Sequence, residues 1–91
     1  MGERRRQIQP RSGPERAFGE ALRAIRKRTG MSQMDLYAAS GIDRTYISAV
    51  ERGVQGPTIR MISRFAKHLR VKPSEIVHQM EQSRFYSERG L

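Results

Sequence analysis

The run Ser32–Gly53, SQMDLYAASGIDRTYISAVERG, restricts the fold more than any other part of the chain. Two stretches of helical spacing flank Ser40-Gly41-Ile42, a connection that leaves room only for a tight turn. Gly41 stands where the chain must reverse, and glycine takes the left-handed backbone there without Cβ strain. Leu36, Ile42, Ile47 and Val50 recur at intervals that close a small angular core between the two stretches. What remains on the second stretch is a polar face turned away from that core.

The rest of the chain predicts an all-α domain of five helices. A first helix is expected from Pro14 or Glu15 to Thr29, with Phe18, Leu22 and Ile25 as its apolar stripe and Gly30 as its C-terminal cap. Ser32 is a good N-cap for the second helix, which ends near Ala39; Asp43 is one for the third, which ends near Arg52. Gly56-Pro57 marks a loop, and Thr58 caps a fourth helix in which Ile62, Phe65, Ala66 and Leu69 repeat at helical spacing. Pro73 and Glu75 suit the first turn of a fifth, lined on one side by Ile76, Val77 and Met80. No strand pattern and no internal repeat is present. The expected organisation is a flexible basic arm over residues 1–13, a folded helical domain over 14–80, and an extension over 81–91 that lengthens the fifth helix or frays. That extension holds Phe85 and Tyr86, aromatics outside the expected core, and is a candidate dimerisation or partner segment. The arm is read either as a passive tail or as a segment that touches DNA.

Charge narrows the partner. The 91 residues carry 18 Lys and Arg against 9 Asp and Glu, a formal charge of +9. That excess suits a polyanion, whether DNA, RNA or an anionic membrane. Fifteen of the positive residues are arginine, which holds phosphate and guanine edges bidentately and so favours nucleic acid. No apolar run approaches membrane-spanning length, and the basic N-terminus has no hydrophobic stretch behind it as a secretory signal would. Without cysteine there is no disulfide or thiolate metal site, and no metal or cofactor is expected. His68 and His78 stand alone on helices, with nothing near them in sequence that suggests catalysis, so the chain does not read as an enzyme.

On a wheel at about 100° per residue, Arg44, Thr45, Ser48, Ala49 and Arg52 span an arc of roughly 140°, with Ile47 and Val50 opposite. This is the arrangement of a helix-turn-helix, whose second helix enters the major groove. Arg44 has the reach and paired donors for guanine O6 and N7; Thr45 suits a base edge or a thymine methyl; Ser48 reads weakly. Arg52, farther along, suits phosphate. Ser32 and Gln33 open the second helix, whose free amides favour an anion, and the Gln33 amide can add a bond to a phosphate oxygen. Arg26 and Glu51 fall on facing edges of the first and third helices, where a bidentate ion pair would lock the two together.

FGEALRAIRKRTGMSQMDLYAASGIDRTYISAVERG, followed by PTIRMISRFAKHLRVKPSEI, resembles the lambda-repressor-like, or Xre, helix-turn-helix family across Phe18–Ile76. The SQxxL, SGI, YIS and ERG elements carry the likeness by their order and spacing. The resemblance implies a compact five-helix DNA-binding domain, homodimeric binding to an inverted repeat, and transcriptional control in a bacterial or phage-encoded, cytoplasmic and nucleoid-associated protein. It supports Gln33 and Arg52 as phosphate contacts, Arg44, Thr45 and Ser48 as base-facing, and the Arg26–Glu51 pair. In the small controller proteins of restriction-modification systems a similar RTYIS run sets its tyrosine against the DNA backbone, which implies the same for Tyr46. Three departures stand out. Tyr37 occupies a position usually held by alanine, so either the second and third helices are spread or the ring swings out. Arg70 stands where glycine is common, and if left-handed it carries strain of roughly 1 kcal/mol. A basic arm precedes the match.

Two functions compete. One is a repressor or self-regulating controller that dimerises through the fifth helix, with Val77 and Met80 in the interface. The other is an antitoxin that binds a small protein through residues 81–91 and regulates its own operon.

Overall fold

The computed structural model describes residues 13–87 and Leu91. The expected arm, Gly13 apart, therefore lies outside the described residues. Five helices and no strand appear among them: α1 (Pro14–Arg28), α2 (Gln33–Ser40), α3 (Arg44–Glu51), α4 (Ile59–Leu69) and α5 (Pro73–Glu81).

Short polar side chains set where the three middle helices begin. Ser32 Oγ accepts from the Asp35 amide at 2.9 Å while Asp35 Oδ2 accepts from the Ser32 amide at 2.9 Å, a reciprocal capping box on α2. The Asp43 carboxylate accepts from the Thr45 and Tyr46 amides at 3.1 and 3.3 Å and starts α3. Thr58 Oγ1 accepts from the Met61 amide at 3.1 Å and starts α4. Each bond satisfies a donor that the helix itself leaves free. At the other end of α2, Gly41 is left-handed at φ 73° and its amide returns to the Tyr37 carbonyl at 2.8 Å. The chain thereby turns sharply enough for α3 to cross α2.

The apolar positions converge on one core. Phe18, Leu22 and Ile25 of α1 meet Leu36, Ile42, Ile47, Val50, Phe65, Leu69 and Ile76, all buried. Burying each large side chain contributes about 1.5–3 kcal/mol. Gly19 brings α1 against the end of α3: a Cβ there would lie 2.3 Å from the Val50 carbonyl oxygen and 2.5 Å from that of Glu51. Any side chain would push the two helices apart.

Several elements depart from expectation at their ends. Thr29 is the cap of α1 and not its last residue: the chain leaves the helix at Gly30, left-handed at φ 81°, while Thr29 Oγ1 donates back to the Arg26 carbonyl at 2.6 Å. After Glu81 the chain neither lengthens α5 nor frays over residues 82–87. Ser83 Oγ donates to Glu20 Oε1 at 2.5 Å, and the Phe85 ring lies half-buried with the Arg16 guanidinium carbon 4.2 Å from its centroid. Tyr37 swings outward, 44% exposed, which leaves α2 and α3 in close contact. Arg70 is left-handed at φ 60°, the one non-glycine residue with positive φ among those described.

Candidate nucleic-acid interface

α3 is anchored from behind. Arg26 Nε donates to Glu51 Oε2 at 2.6 Å and its Nη2 to Glu51 Oε1 at 2.9 Å, a bidentate pair, while Nη1 donates to the Met31 carbonyl at 2.7 Å. The two side chains are only 7% and 3% exposed. The hydrogen bond to Glu51 raises the Arg26 pKa above its ordinary value, against the opposing effect of burial. With Ile47 and Val50 fully buried beside it, this pair fixes the rotation of α3 about its axis.

That rotation decides what faces outward. Arg44, Thr45, Ser48 and Arg52 line one shallow, open hollow. Within it Arg52 Nε donates to Ser48 Oγ at 3.3 Å, so the two form one polar group on the outward face of α3. Arg44 is exposed and sends Nη1 toward Met34 Sδ of α2 at 3.8 Å.

The other expected contact residues are placed less simply. Ser32 Oγ is occupied in capping α2, and the Asp35 carboxylate bonded to that cap is held below its ordinary pKa, first by the Ser32 amide and then by its hydroxyl. A negative charge therefore sits at the helix start where an anion was expected. Gln33 Nε2 donates to Glu51 Oε1 at 3.1 Å, which ties the start of α2 to the buried pair and leaves the second amide N–H for another acceptor. Tyr46 is half-buried with its ring stacked on Phe65, centroids 6.3 Å apart. Burial pushes the phenol pKa up, with the Thr58 backbone pulling the other way. The phenol oxygen, already bonded by the Thr58 backbone, is the group of Tyr46 that could still donate to a phosphate. Val77 and Met80 are half-buried on α5, and Met80 also packs on the core.

Sequence reasoning did not find Met34 as a neighbour of the reading face, nor the link from Gln33 to Glu51. Both contacts cross between α2 and α3, and no local pattern announces them. No helix among the described residues is long and apolar enough to cross a membrane.

A family model described as helix-turn-helix matches residues 22–76, more than half of the chain. The chain belongs to the helix-turn-helix family. It is similar to the control protein C.BamHI of Bacillus amyloliquefaciens, 36% identical over 61 residues that cover 66% of this chain and 75% of that relative. Among solved structures it is similar to the restriction-modification controller protein C.AhdI of Aeromonas hydrophila, at TM-score 0.64 and 38% identity, covering 67% of this chain and 92% of the other. It is also similar to the restriction-modification controller protein C.Esp1396I, solved as a tetramer in complex with its natural 35 base-pair operator, at TM-score 0.70 and 31% identity, covering 77% and 92%. This helix-turn-helix chain thus shares its fold with regulators, one of which has been captured on DNA.

Proposed function

We propose that the chain is a sequence-specific transcriptional regulator, a self-regulating controller, that binds an inverted-repeat operator as a homodimer in the bacterial cytoplasm. The observation that carries this reading is the outward face of α3: four polar side chains around one open hollow, on a helix whose rotation is fixed by a buried ion pair. Arg44, Thr45 and Ser48 read bases there; Arg52, Gln33 and the Tyr46 hydroxyl meet phosphates, with Ser32 holding the start of α2 in place. The net charge of +9 supplies the sequence-independent attraction. Dimerisation through α5 would cover Val77 and Met80. The likeness to two restriction-modification controllers favours a controller over other regulators. An antitoxin has no counterpart among the relatives reported above, and the Phe85 ring offered for a partner already packs on Arg16.

The test is selection of bound duplexes from random DNA by the full chain. The expected product is a dyad-related pair of half-sites whose centres lie about one helical turn, or a multiple of it, apart. Specific binding should fall with salt at a log–log slope of roughly −7, for on the order of eight phosphates per dimer. Sedimentation at micromolar concentration should give a dimer. Enrichment of an asymmetric site, or a clean monomer with and without the selected DNA, would overturn the reading.

A further inference from the structure

Met34 lies on the first turn of α2, outside the polar arc of α3, yet its thioether is the group that Arg44 meets. Arg44 Nη1 stands 3.8 Å from Met34 Sδ. Among the described residues no carboxylate forms an ion pair with Arg44: the nearest in sequence, Asp43, turns its Oδ2 to the Thr45 and Tyr46 amides. Met34 is 53% exposed, whereas Met31, Met61 and Met80 are half-buried against the core. Its place on the surface is therefore not explained by packing. Arg64 makes a useful contrast. It too approaches a sulfur, Met61 Sδ at 3.7 Å, but it also donates to the Ser40 carbonyl at 3.1 Å, a strong acceptor that holds it on the scaffold. Arg44 has the weak acceptor alone.

A thioether is a weak acceptor with a polarisable surface, so it can restrain a guanidinium without competing with a base for it. An unrestrained arginine loses much rotamer freedom on binding, and preorganisation removes part of that cost. One N–H directed at sulfur leaves Nε and Nη2 free to form the paired bonds that guanine accepts. We propose that Met34 is a positioning residue for Arg44, holding its guanidinium at the α2 edge of the reading face, so that discrimination at the base read by Arg44 depends on residue 34. This rests on the proposed role of Arg44.

The test uses the full chain and the duplex it selects from random DNA, with single-base changes in one half-site. Leucine matches methionine closely in volume and helix propensity but offers no acceptor. Met34→Leu should reduce discrimination at one base position by about two- to tenfold, the lower part of the range for residues in contact, as suits a weak acceptor, and leave the other positions and the unfolding midpoint in place. In an Arg44→Ala background the same change should do nothing further. Full discrimination in Met34→Leu, an equal loss at every position, or the same loss with Arg44 absent would each overturn the proposal. If Arg44→Ala itself keeps every preference, the role of Arg44 fails first and the proposal with it, an outcome distinct from the other three.

Discussion

On its inner side α3 presents Ile47 and Val50, fully buried, and the Glu51 carboxylate gripped by Arg26 at 2.6 and 2.9 Å. On its outer side the arginines make single bonds of 3.3 Å to Ser48 and 3.8 Å to Met34, around a hollow open to solvent. The inner polar groups are satisfied by the protein and lose water to be so. The outer donors remain mostly free for another molecule. The same kind of residue, arginine, thus serves shape on one side and, in the reading proposed above, recognition on the other, and burial separates the two. If that division is right, stability and base preference should respond to different substitutions.

Arg26→Ala is the strongest way to break the comparison. It leaves the buried Glu51 carboxylate without a counter-ion, held by the neutral Gln33 amide, where loss of the charged partner costs about 3 kcal/mol. Converting both Arg26 and Glu51 to leucine should cost less than either single change, because no charge is then left unpaired. Urea unfolding of the two single variants and the double variant measures this, and simple additivity would show that the pair is not a unit.

The outer side is probed next. Arg44→Ala should cost roughly 1–3 kcal/mol per half-site and relax preference at one base position, with the unfolding midpoint unmoved. Arg52→Ala should weaken all duplexes alike, since a phosphate contact carries no base information. Titration against the selected operator and its single-base variants distinguishes the two. If Arg52→Ala alone relaxes preference, the reading and anchoring ends of α3 are reversed.

How far each side is legible in the sequence follows from the range of its interactions. The helix starts at Ser32, Asp43 and Thr58 are legible because a cap involves neighbours two or three residues away. The apolar periodicity gives the buried side of α1, α3 and α4, and by subtraction the arc that holds Arg44, Thr45, Ser48 and Arg52, whereas α2 buries Leu36 alone and shows no such stripe. What the wheel leaves open is whatever depends on a second element. Tyr37 leaves two outcomes because its surroundings belong to α3 as much as to α2. Gly19 is a plain helical residue until the Val50 carbonyl is placed 2.3 Å from its absent Cβ. The return of Ser83 to Glu20 spans 63 residues and has no local signature.

Arg70 sharpens the comparison from a position that belongs to neither side of α3. It holds φ 60° at the end of α4, a conformation that costs a residue with a Cβ about 1–2 kcal/mol. Arg70→Gly should raise stability by about 1 kcal/mol, reduced by the greater freedom of glycine in the unfolded chain. Base preference should stay as it is. Thermal unfolding that shows no gain would mean that the Arg70 side chain offsets its own backbone strain.

The smallest expected effect lies in the capping box of α2. Asp35 is fully exposed, and the bonds from the Ser32 amide and hydroxyl hold its pKa below the ordinary aspartate value. A carboxyl whose pKa is lower when folded contributes stability at pH values above its unfolded pKa. That contribution is lost as pH falls through the folded value, because the native state must then take up the proton it excluded. Asp35→Asn removes the titration while keeping an acceptor for the Ser32 amide. The stability difference between the two proteins should therefore be constant from neutral pH down to the ordinary aspartate range and shrink below it, by urea unfolding at stepped acid pH. A gap that stays constant through that range would show that the Ser32–Asp35 bonds do not favour the charged carboxylate. α2 would then owe its start to the Ser32 hydroxyl alone.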